Sequence, residues 1–431
     1  MKKILLIAVF TIISINYAFS VTLTEALIQT YKNNTELNAE RENVKVSQKD
    51  LIISKADYLP SASITGSKSK EKTNKLTNQG GGDASITDVD PLIATIKLEH
   101  TLVDFGRDAE YKKKKIGINL AEAKLLKKEQ DIFYKAIEAY SGLILANEKL
   151  TINQINLSLL ERQVETDKVR LERGQITVSD LAQSESSLAG AQAQFIQAKN
   201  EIVTNKLNYE NIIGKILNLK SLEKTSESIV SIPQSLNSAI DLSKQNNPDI
   251  TIAKLELEQS EKDIEIAESD LKPTATLSLE RSYSDNLNTT YDKKEKDVLK
   301  ATVSWPFYSG GKKRVTISKN QNLKTRKRLL LDNAIKTNDT IVATAWANLQ
   351  SSKSFLNFVR LQVRAAQIAN EGITAEYERG SGRTTLDVIQ SNTLLLNAKV
   401  SLSNSERNYL LAQYNLLKSV GLLNSTYLKL E

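Results

Sequence analysis

The sequence predicts a mainly α-helical chain with a small β part, in which long antiparallel helices pair as coiled coils and short β-hairpins belong to a transmembrane barrel. Three observations carry this expectation. The chain reads twice, its prolines fall only at element boundaries, and its hydrophobic period changes from three-to-four to two within each copy.

The duplication comes first because it fixes the order of elements. Leu23-Thr-Glu-Ala-Leu through Asn33-Asn34-Thr-Glu-Leu37 returns 213 residues later as Leu236-Asn-Ser-Ala-Ile through Asn246-Asn247-Pro-Asp-Ile250, and Pro60 meets Pro273 at the same offset. After a loop eight residues shorter in the second copy, Val103-Asp-Phe-Gly106-Arg107 pairs with Tyr308-Ser-Gly-Gly311-Lys312. Glu172-Arg173-Gly174 then pairs with Glu378-Arg379-Gly380, followed by Asp180 and Asp387 in similar turns. The expected organisation is a leader over 1–20, a first repeat over 21–215, a linker over 216–235 and a second repeat over 236–431.

Helices follow from where proline is missing. Pro lacks an N–H and breaks helix interiors, and none of the six prolines lies between Arg107 and Gly214 or after Pro306. Within those intervals apolar residues such as Ile152, Ile155, Leu159, Leu160 and Val164 recur at helical spacing amid Ala, Lys, Glu, Gln and Leu. The spacing predicts helices of about 67 residues from Arg107 and from Lys312, each about 100 Å long at about 1.5 Å per residue. Each is expected to end at an Arg-Gly turn and to be followed by a helix of about 36 residues (from Ser179 and from Thr384). Helices of about 23 residues are expected ahead of each strand region, over 36–58 and 249–271. Laid end to end, the two shorter helices nearly match one long one, so each long helix is expected to pack against two shorter ones.

Between the prolines and the glycines the period becomes two. Ala94, Ile96, Leu98 and Leu102 alternate with Thr95, Lys97, Glu99 and Thr101, and Leu299, Ala301, Val303, Trp305 and Phe307 alternate with Lys300, Thr302 and Ser304. Ala275, Leu277 and Leu279 repeat the pattern more weakly, and 61–69 is too polar to show it. An apolar face opposite a charged one suits a barrel strand between lipid and a wet lumen, and equally a soluble sheet packed on helices. Hairpins at one end of 100 Å helices favour the barrel. Four strands per chain cannot close one, so chains must associate, with eight strands for a dimer or twelve for a trimer. Trp305, Phe307 and Tyr308 read as an aromatic girdle at the membrane interface.

Composition removes most other function classes. The chain has 431 residues, 40% of them hydrophobic, a formal charge of +7, no Cys and a single His. Disulfides, thiolate zinc sites, thiol catalysis, an acylated Cys anchor and multi-histidine metal sites are thereby excluded. Lys2 and Lys3, the apolar run Ile4 to Ile13 and Ala18-Phe19-Ser20 read as a signal peptide cleaved after Ser20. Export argues against a nucleic-acid partner despite the positive charge.

The duplicated order, the Leu23-Thr-Glu-Ala26 and Asn33-Asn34 opening, Leu59-Pro60-Ser61, Asp104-Phe105-Gly106-Arg107, Tyr308-Ser-Gly-Gly311 and Arg383-Thr-Thr-Leu-Asp387-Val388 together resemble the TolC-like outer membrane efflux protein family. The resemblance covers essentially the whole chain after the leader. It implies a homotrimer with a 12-stranded barrel in outer membrane lipid, continuous with a 12-helix periplasmic tunnel. Such a protein is a passive exit duct for efflux or type I secretion, docked by a periplasmic adaptor and an inner-membrane transporter. No cofactor, metal or enzymatic activity is implied, and Gly310-Gly311-Lys312 lacks the full phosphate-loop spacing.

The resemblance also points to a gate at the two Arg-Gly turns. Arg383 matches a family arginine that links to an acidic residue of the neighbouring hairpin, and Asp180 occupies the matching acidic position. Asp387 matches an acid lining the tip constriction, whereas Gln390 stands where the family pattern has a second Asp, so a less negative ring is expected. Gln163 and Tyr377 are candidates for a second gate link.

Other features carry plainer readings beside functional ones. His100 has no recognisable Ser or carboxylate arrangement around it and reads as an interfacial strand residue rather than a general base. Asp83, Asp88 and Asp90 near Gly80-Gly81-Gly82 lack calcium-loop spacing and read as a polar turn. Lys112 to Lys115 and Lys312-Lys313-Arg314 suit either acidic lipid headgroups or a solvated helix face. The competing function class is a surface-anchored structural or adhesive helical trimer.

Overall fold

A computed structural model describes residues 21–75, 85–215, 222–224, 231–287, 292–380 and 382–430. The expected signal peptide, Asp83, Gly80 to Gly82 and most of the expected linker lie outside these residues. The chain divides into two compact units, one built from 1–38, 128–247 and 339–431, the other from 39–127 and 248–338. Each unit takes segments from both sequence repeats.

The second unit contains α2 (Thr35–Ala56) from Ala39 on, β1 (Ser61–Lys68), β2 (Glu71–Lys75), β3 (Ser85–Val89), β4 (Leu92–Val103), α6 (Pro248–Ser269), β5 (Thr274–Asp285), β6 (Lys293–Ser304) and the first parts of α3 (Arg107–Glu172) and α7 (Lys312–Glu378). Four strands form one antiparallel sheet in the order β1-β4-β5-β6. Its register places Ala62, Leu98, Leu279 and Leu299 opposite one another across all four strands, and His100, Leu277 and Ala301 in the next row of that face. Opposite residues share a face. The other face carries the row Ser63, Lys97, Glu280 and Val298 and the row Thr65, Thr95, Ser282 and Lys296. The alternation expected for a barrel wall thus crosses both repeats in these rows, whereas further along the same face Ile96 lies opposite Arg281 and Arg281 opposite Asp297, so the apolar band covers only part of the strands. No described helix is long and apolar enough to cross a membrane.

Two local expectations are corrected. The segment around Asp88 is not a simple turn, because β2 and β3 pair as a separate two-stranded ribbon with Asp88 opposite Lys72. Backbone pairing holds a strand whose residues, Glu71-Lys-Thr-Asn-Lys75, show no apolar alternation. The last strand stops at Ser304 rather than running through Phe307. Pro306 has no N–H to give the ladder, and the Phe307 N–H instead donates to Trp305 O at 2.8 Å.

The helical part of this unit is held by charged side chains. Lys113 pairs with Asp263 at 2.6 Å, Lys324 with Glu261 at 3.0 Å, and Lys327 with Glu256 at 2.7 Å. The Asn320 amide donates to Asp263 O at 3.1 Å. Partly exposed pairs of this kind stabilise by under about 1 kcal/mol each. Their main effect is to fix which helix faces which.

The first unit holds α1 (Leu23–Asn33), most of α3 and α7, α4 (Val178–Ile212), α5 (Leu236–Asn246), α8 (Thr385–Ser419) and α9 (Ser425–Leu428). Its core gathers Leu23, Leu27, Phe133, Ile137, Tyr140, Leu143, Tyr209, Tyr414, Leu417 and Leu423. Each such side chain contributes roughly 1.5–3 kcal/mol on burial. Tyr140 is wholly buried, and its hydroxyl lies 2.8 Å from Val21 O and 2.6 Å from Glu223 O. A second cluster joins Ala239, Val342, Ala345, Leu349, Leu416 and Val420.

The repeated Asn-Asn pairs acquire a physical reason here. Asn34 and Asn247 leave helical geometry at the ends of α1 and α5, with ψ of 124° and 123°. Their side-chain amides donate 3.0 Å bonds to Ile212 O and Ser419 O, the C-terminal carbonyls of α4 and α8. One residue type thus ends one helix and caps another, twice.

Gly421 closes α8 with φ of 81°, its N–H donating to Lys418 O and the Leu422 N–H to Leu417 O. A Cβ there would sit 2.3 Å from Asn246 O. Gly421→Ala combines left-handed strain with a backbone clash, and we expect it to destabilise this unit by about 2 kcal/mol or more. Thermal unfolding of the purified protein followed by circular dichroism checks this, with an unchanged midpoint refuting it.

Candidate functional site

Of the candidate gate residues, Asp180, Arg383 and Asp387 lie at the two turns that end the long helices, Tyr377 in the last turn of α7, and Gln163 and Gln390 within α3 and α8. The α3–α4 turn uses Gly174 at φ 69°, with its N–H donating to Leu171 O and the Gln175 N–H to Arg170 O, both at 2.9 Å. This is a Schellman closure, which requires a left-handed residue. In the α7–α8 turn Gly380 is likewise left-handed, φ 74°, and its N–H donates to Tyr377 O at 3.1 Å.

Both candidate aspartates turn out to be helix caps. Asp180 Oδ2 accepts from the Thr177 N–H at 2.9 Å and hydroxyl at 2.8 Å, while Thr177 Oγ1 accepts from the Asp180 N–H at 3.2 Å. Asp387 and Thr384 make the same reciprocal set at 2.8, 2.9 and 3.2 Å. Backbone and hydroxyl donors from Thr177 hold the Asp180 carboxyl below the usual carboxylate range, and those from Thr384 do the same for Asp387, with a minor contribution from Arg383. The signal was present in the sequence as Thr-x-x-Asp ahead of an apolar run.

The expected Asp180–Arg383 ion pair is not made within the chain. Arg383 Nε instead donates to Glu376 Oε2 at 2.6 Å. The short turn returns Arg383 beside the last helical turn of α7, so the local carboxylate wins with little loop to order. Asp180 and Arg383 nonetheless line one cleft of about 510 Å³, together with Arg170, Tyr377, Arg379 and Thr385. Gln390 is exposed on α8.

The candidate pair Gln163 and Tyr377 does come together, at 3.4 Å, around a residue that the sequence did not single out. Asp167 is wholly buried. Its carboxylate accepts from Gln163 Nε2 at 2.9 and 3.1 Å, from Ser184 Oγ at 2.5 Å and from the Tyr377 hydroxyl at 3.1 Å. The Tyr377 oxygen also lies 3.0 Å from Thr385 Oγ1, and the Arg170 guanidinium stacks 4.2 Å from the Tyr377 ring centroid. Asp167 continues the stripe of buried Leu160 and Val164, so a carboxylate at an apolar position was the available signal.

In the second unit Trp305, Phe307 and Tyr308 are 63%, 87% and 84% exposed. Trp305 Nε1 donates to Leu271 O at 3.1 Å and its ring meets Phe307 edge-on at 6.3 Å. The neighbouring lysines are partly engaged by the protein: Lys112 with Asp108, Lys113 with Asp263, Lys114 with Asp50, and Lys313 with Asp270 O. His100 lies in β4 opposite Leu277.

A family profile described as outer membrane efflux protein matches residues 26–215 and 239–422, one segment in each repeat. The chain belongs to the outer membrane efflux protein family. Among similar members, the outer membrane efflux protein BepC of Brucella suis biovar 1 (strain 1330) is 26% identical over 98% of this chain and 90% of the relative. The proteases secretion protein PrtF of Dickeya chrysanthemi is 22% identical over 98% and 93%. The crystal structure of the Campylobacter jejuni CmeC outer membrane channel superposes with a TM-score of 0.81, covering 93% of this chain and 85% of that one at 16% identity. The efflux protein fold, mainly helical with a duplicated chain, is thus shared, and the chain is an outer membrane channel of this family.

The caps of this efflux protein carry a pH dependence whose sign is fixed. A lowered carboxylate pKa means that cap stability is present above the unfolded value and is lost as pH falls through the folded one. Thr177→Ala removes one cap, and we expect hydrogen exchange of 178–182 at pH 7 to speed up about fivefold. The difference from the unaltered protein should shrink, without vanishing, below the usual carboxylate range, because the Asp180 N–H to Thr177 Oγ1 bond does not titrate. Equal exchange at pH 7 would show that the cap contributes nothing.

Proposed function

We propose that this chain forms the passive exit duct of a tripartite efflux or type I secretion system, gated at the paired helical turns. The observation that carries the reading is the four-stranded sheet, with an apolar band on one face around Leu98, Leu277, Leu279 and Leu299, whose edge strands β1 and β6 pair with no further strand among the described residues. Unpaired edges in lipid cost several kcal/mol per orphaned group, so copies must join edge to edge. Three copies give a 12-stranded barrel, and the exposed Trp305, Phe307 and Tyr308 anchor it at the headgroup level.

Residues 1–20 direct export, and the repeats over 21–215 and 236–431 are joined by the linker over 216–235. A periplasmic adaptor and an inner-membrane transporter supply docking and energy, since the chain offers no nucleotide-binding fingerprint. At the turns, Asp180 of one copy and Arg383 of the next oppose each other, and Asp387 repeats as a ring that favours cations. With Gln390 in place of a second acid, that ring is weakly negative.

Single-channel recording of the purified oligomer in a planar bilayer tests this, after its mass is measured. A trimer with small discrete conductances is expected, and Arg383→Ser should enlarge them or raise their open time at least severalfold. A folded oligomer that never conducts, with or without the substitution, would leave a structural or adhesive trimer instead. Conduction unaltered by Arg383→Ser would remove Arg383 from the gate.

A further inference from the structure

We propose that the strand-to-helix junctions at Phe105, Lys272 and Trp305 form a headgroup site for anionic glycerophospholipid in the leaflet on the helical side of the barrel. The proposal goes beyond the duct reading and rests on its placement of the sheet in lipid. The apolar band of the sheet runs up to these junctions. Its last row is Val103, Ala275 and Val303. Two residues beyond the outer members of that row stand Phe105 and Trp305, each more than half exposed.

Three junctions meet in one packed corner. Gly106 is buried against Ser269, the last residue of α6, so closely that a Cβ would strike Ser269 Oγ. The Trp305 indole donates to Leu271 O, and the Lys313 ammonium donates to Asp270 O. The Lys272 ammonium lies 5.0 Å from the Phe105 ring centroid. Segment 270–272 thereby gathers two ammonium groups beside the exposed rings of Phe105, Trp305 and Phe307. Phe105 follows β4 and Lys272 precedes β5, the two inner strands, so the centre of the corner lies away from the edges β1 and β6.

Charge decides what this corner fits. Residues 104–107, 270–273 and 305–314 carry five cations (Arg107, Lys272 and the run Lys312 to Arg314) against two carboxylates, Asp104 and Asp270. Asp104 accepts from the Gly106 N–H at 2.8 Å. Arg107 is occupied as well, donating to Thr101 O at 2.8 Å with its guanidinium 4.9 Å from the Tyr58 ring centroid. Lys112, Lys113 and Lys114, after β4, are paired with Asp108, Asp263 and Asp50. Lys272, Lys312, Lys313 and Arg314, by contrast, make no ion pair among the described residues.

Unpaired cations beside exposed rings, at the end of an apolar band, stand where a membrane presents phosphate. The rings and the lysine stems lie at the acyl boundary while the ammonium groups reach the headgroups. A zwitterionic headgroup brings its own cation, so surplus positive charge favours a lipid of net negative charge. Free phosphate would use the ammonium groups and leave the rings without a role.

The test measures which lipid surrounds the assembled protein. The purified oligomer is placed in phosphatidylcholine vesicles, and the association of spin-labelled phosphatidylglycerol is compared with that of spin-labelled phosphatidylcholine. The labelled phosphatidylglycerol should associate at least about threefold more strongly, and about 0.5 M sodium chloride should bring that ratio towards one. Lys272→Gln with Lys313→Gln should abolish the preference, and Lys272→Arg should retain it. Lys168→Gln, far along α3, should leave it unchanged. Circular dichroism and oligomer mass accompany every form. Should the double variant fail to fold, Lys272→Gln alone, at an exposed side chain, decides by at least halving the ratio.

Equal association of the two lipids with the unaltered protein, or a preference kept without both lysines, overturns the site. Displacement of labelled phosphatidylglycerol by about 20 mM inorganic phosphate at constant ionic strength would mark a free-anion site and overturns it too. Phe105→Ala should lower the ratio and keep the oligomer; a dissociated oligomer would make the corner a contact between copies instead. A protein that conducts in these vesicles without lipid preference keeps the duct and loses the site. One that enters vesicles of neither lipid loses both.

Discussion

The backbone of a strand in lipid must find its hydrogen-bond partners within protein, and this requirement governs the molecule. Two hairpins from a duplicated chain make four strands, of which β4 and β5 are paired on both sides while β1 and β6, among the described residues, are paired on one. In the proposed barrel the chain therefore cannot finish its own membrane part, and duplication without closure makes association a condition of folding in the bilayer rather than a later refinement. A single copy leaves Phe355, Phe358, Leu361 and Ile368 more than half exposed along α7, as expected of a subunit rather than a finished object.

Away from the sheet, the recurring problem is how to end helices, and the chain solves it with the same few polar side chains in both copies. Asn34 and Asn247 terminate the short entry helices and satisfy the carbonyls at the ends of α4 and α8. Thr177 with Asp180, and Thr384 with Asp387, start α4 and α8 by reciprocal caps. Single changes at these positions affect a helix end and its neighbour together. The two carboxylates with the strongest claim to a gating role are thus also structural, which explains why both turns keep an Asp three residues after a Thr.

Much of the fold was legible because proline, glycine and periodicity act locally. Both long helices begin and end where Arg107, Lys312 and the Arg-Gly pairs indicated. β1 and the β2–β3 ribbon were not legible, since Ser61 to Lys68 and Glu71 to Lys75 owe their strand form to a partner's backbone and carry almost no apolar alternation. The turn residues were visible in the sequence, but their bonding was not. Arg383 chose Glu376, a local competitor, and Asp167 became buried only through packing of α4 and α7 upon it. A carboxylate among Glu165, Lys168 and Arg170 reads as solvated until three dimensions show which face it occupies.

The junction at Asp167 also breaks the symmetry of the duplication. Aligned by their Arg-Gly turns, the position of Asp167 in the first repeat corresponds to Ile373 in the second, and that of Tyr377 corresponds to Leu171. Acid and phenol stand on one side of the repeat relationship, and two aliphatic residues stand on the other. Each chain consequently carries one such junction and not two. A bundle of near-identical hairpins around an axis would have no preferred partner for any of them. Divergence at two helical positions makes the contact between the two hairpins of one chain chemically distinct from any contact that repeats the same residues, and so gives the pair a fixed order.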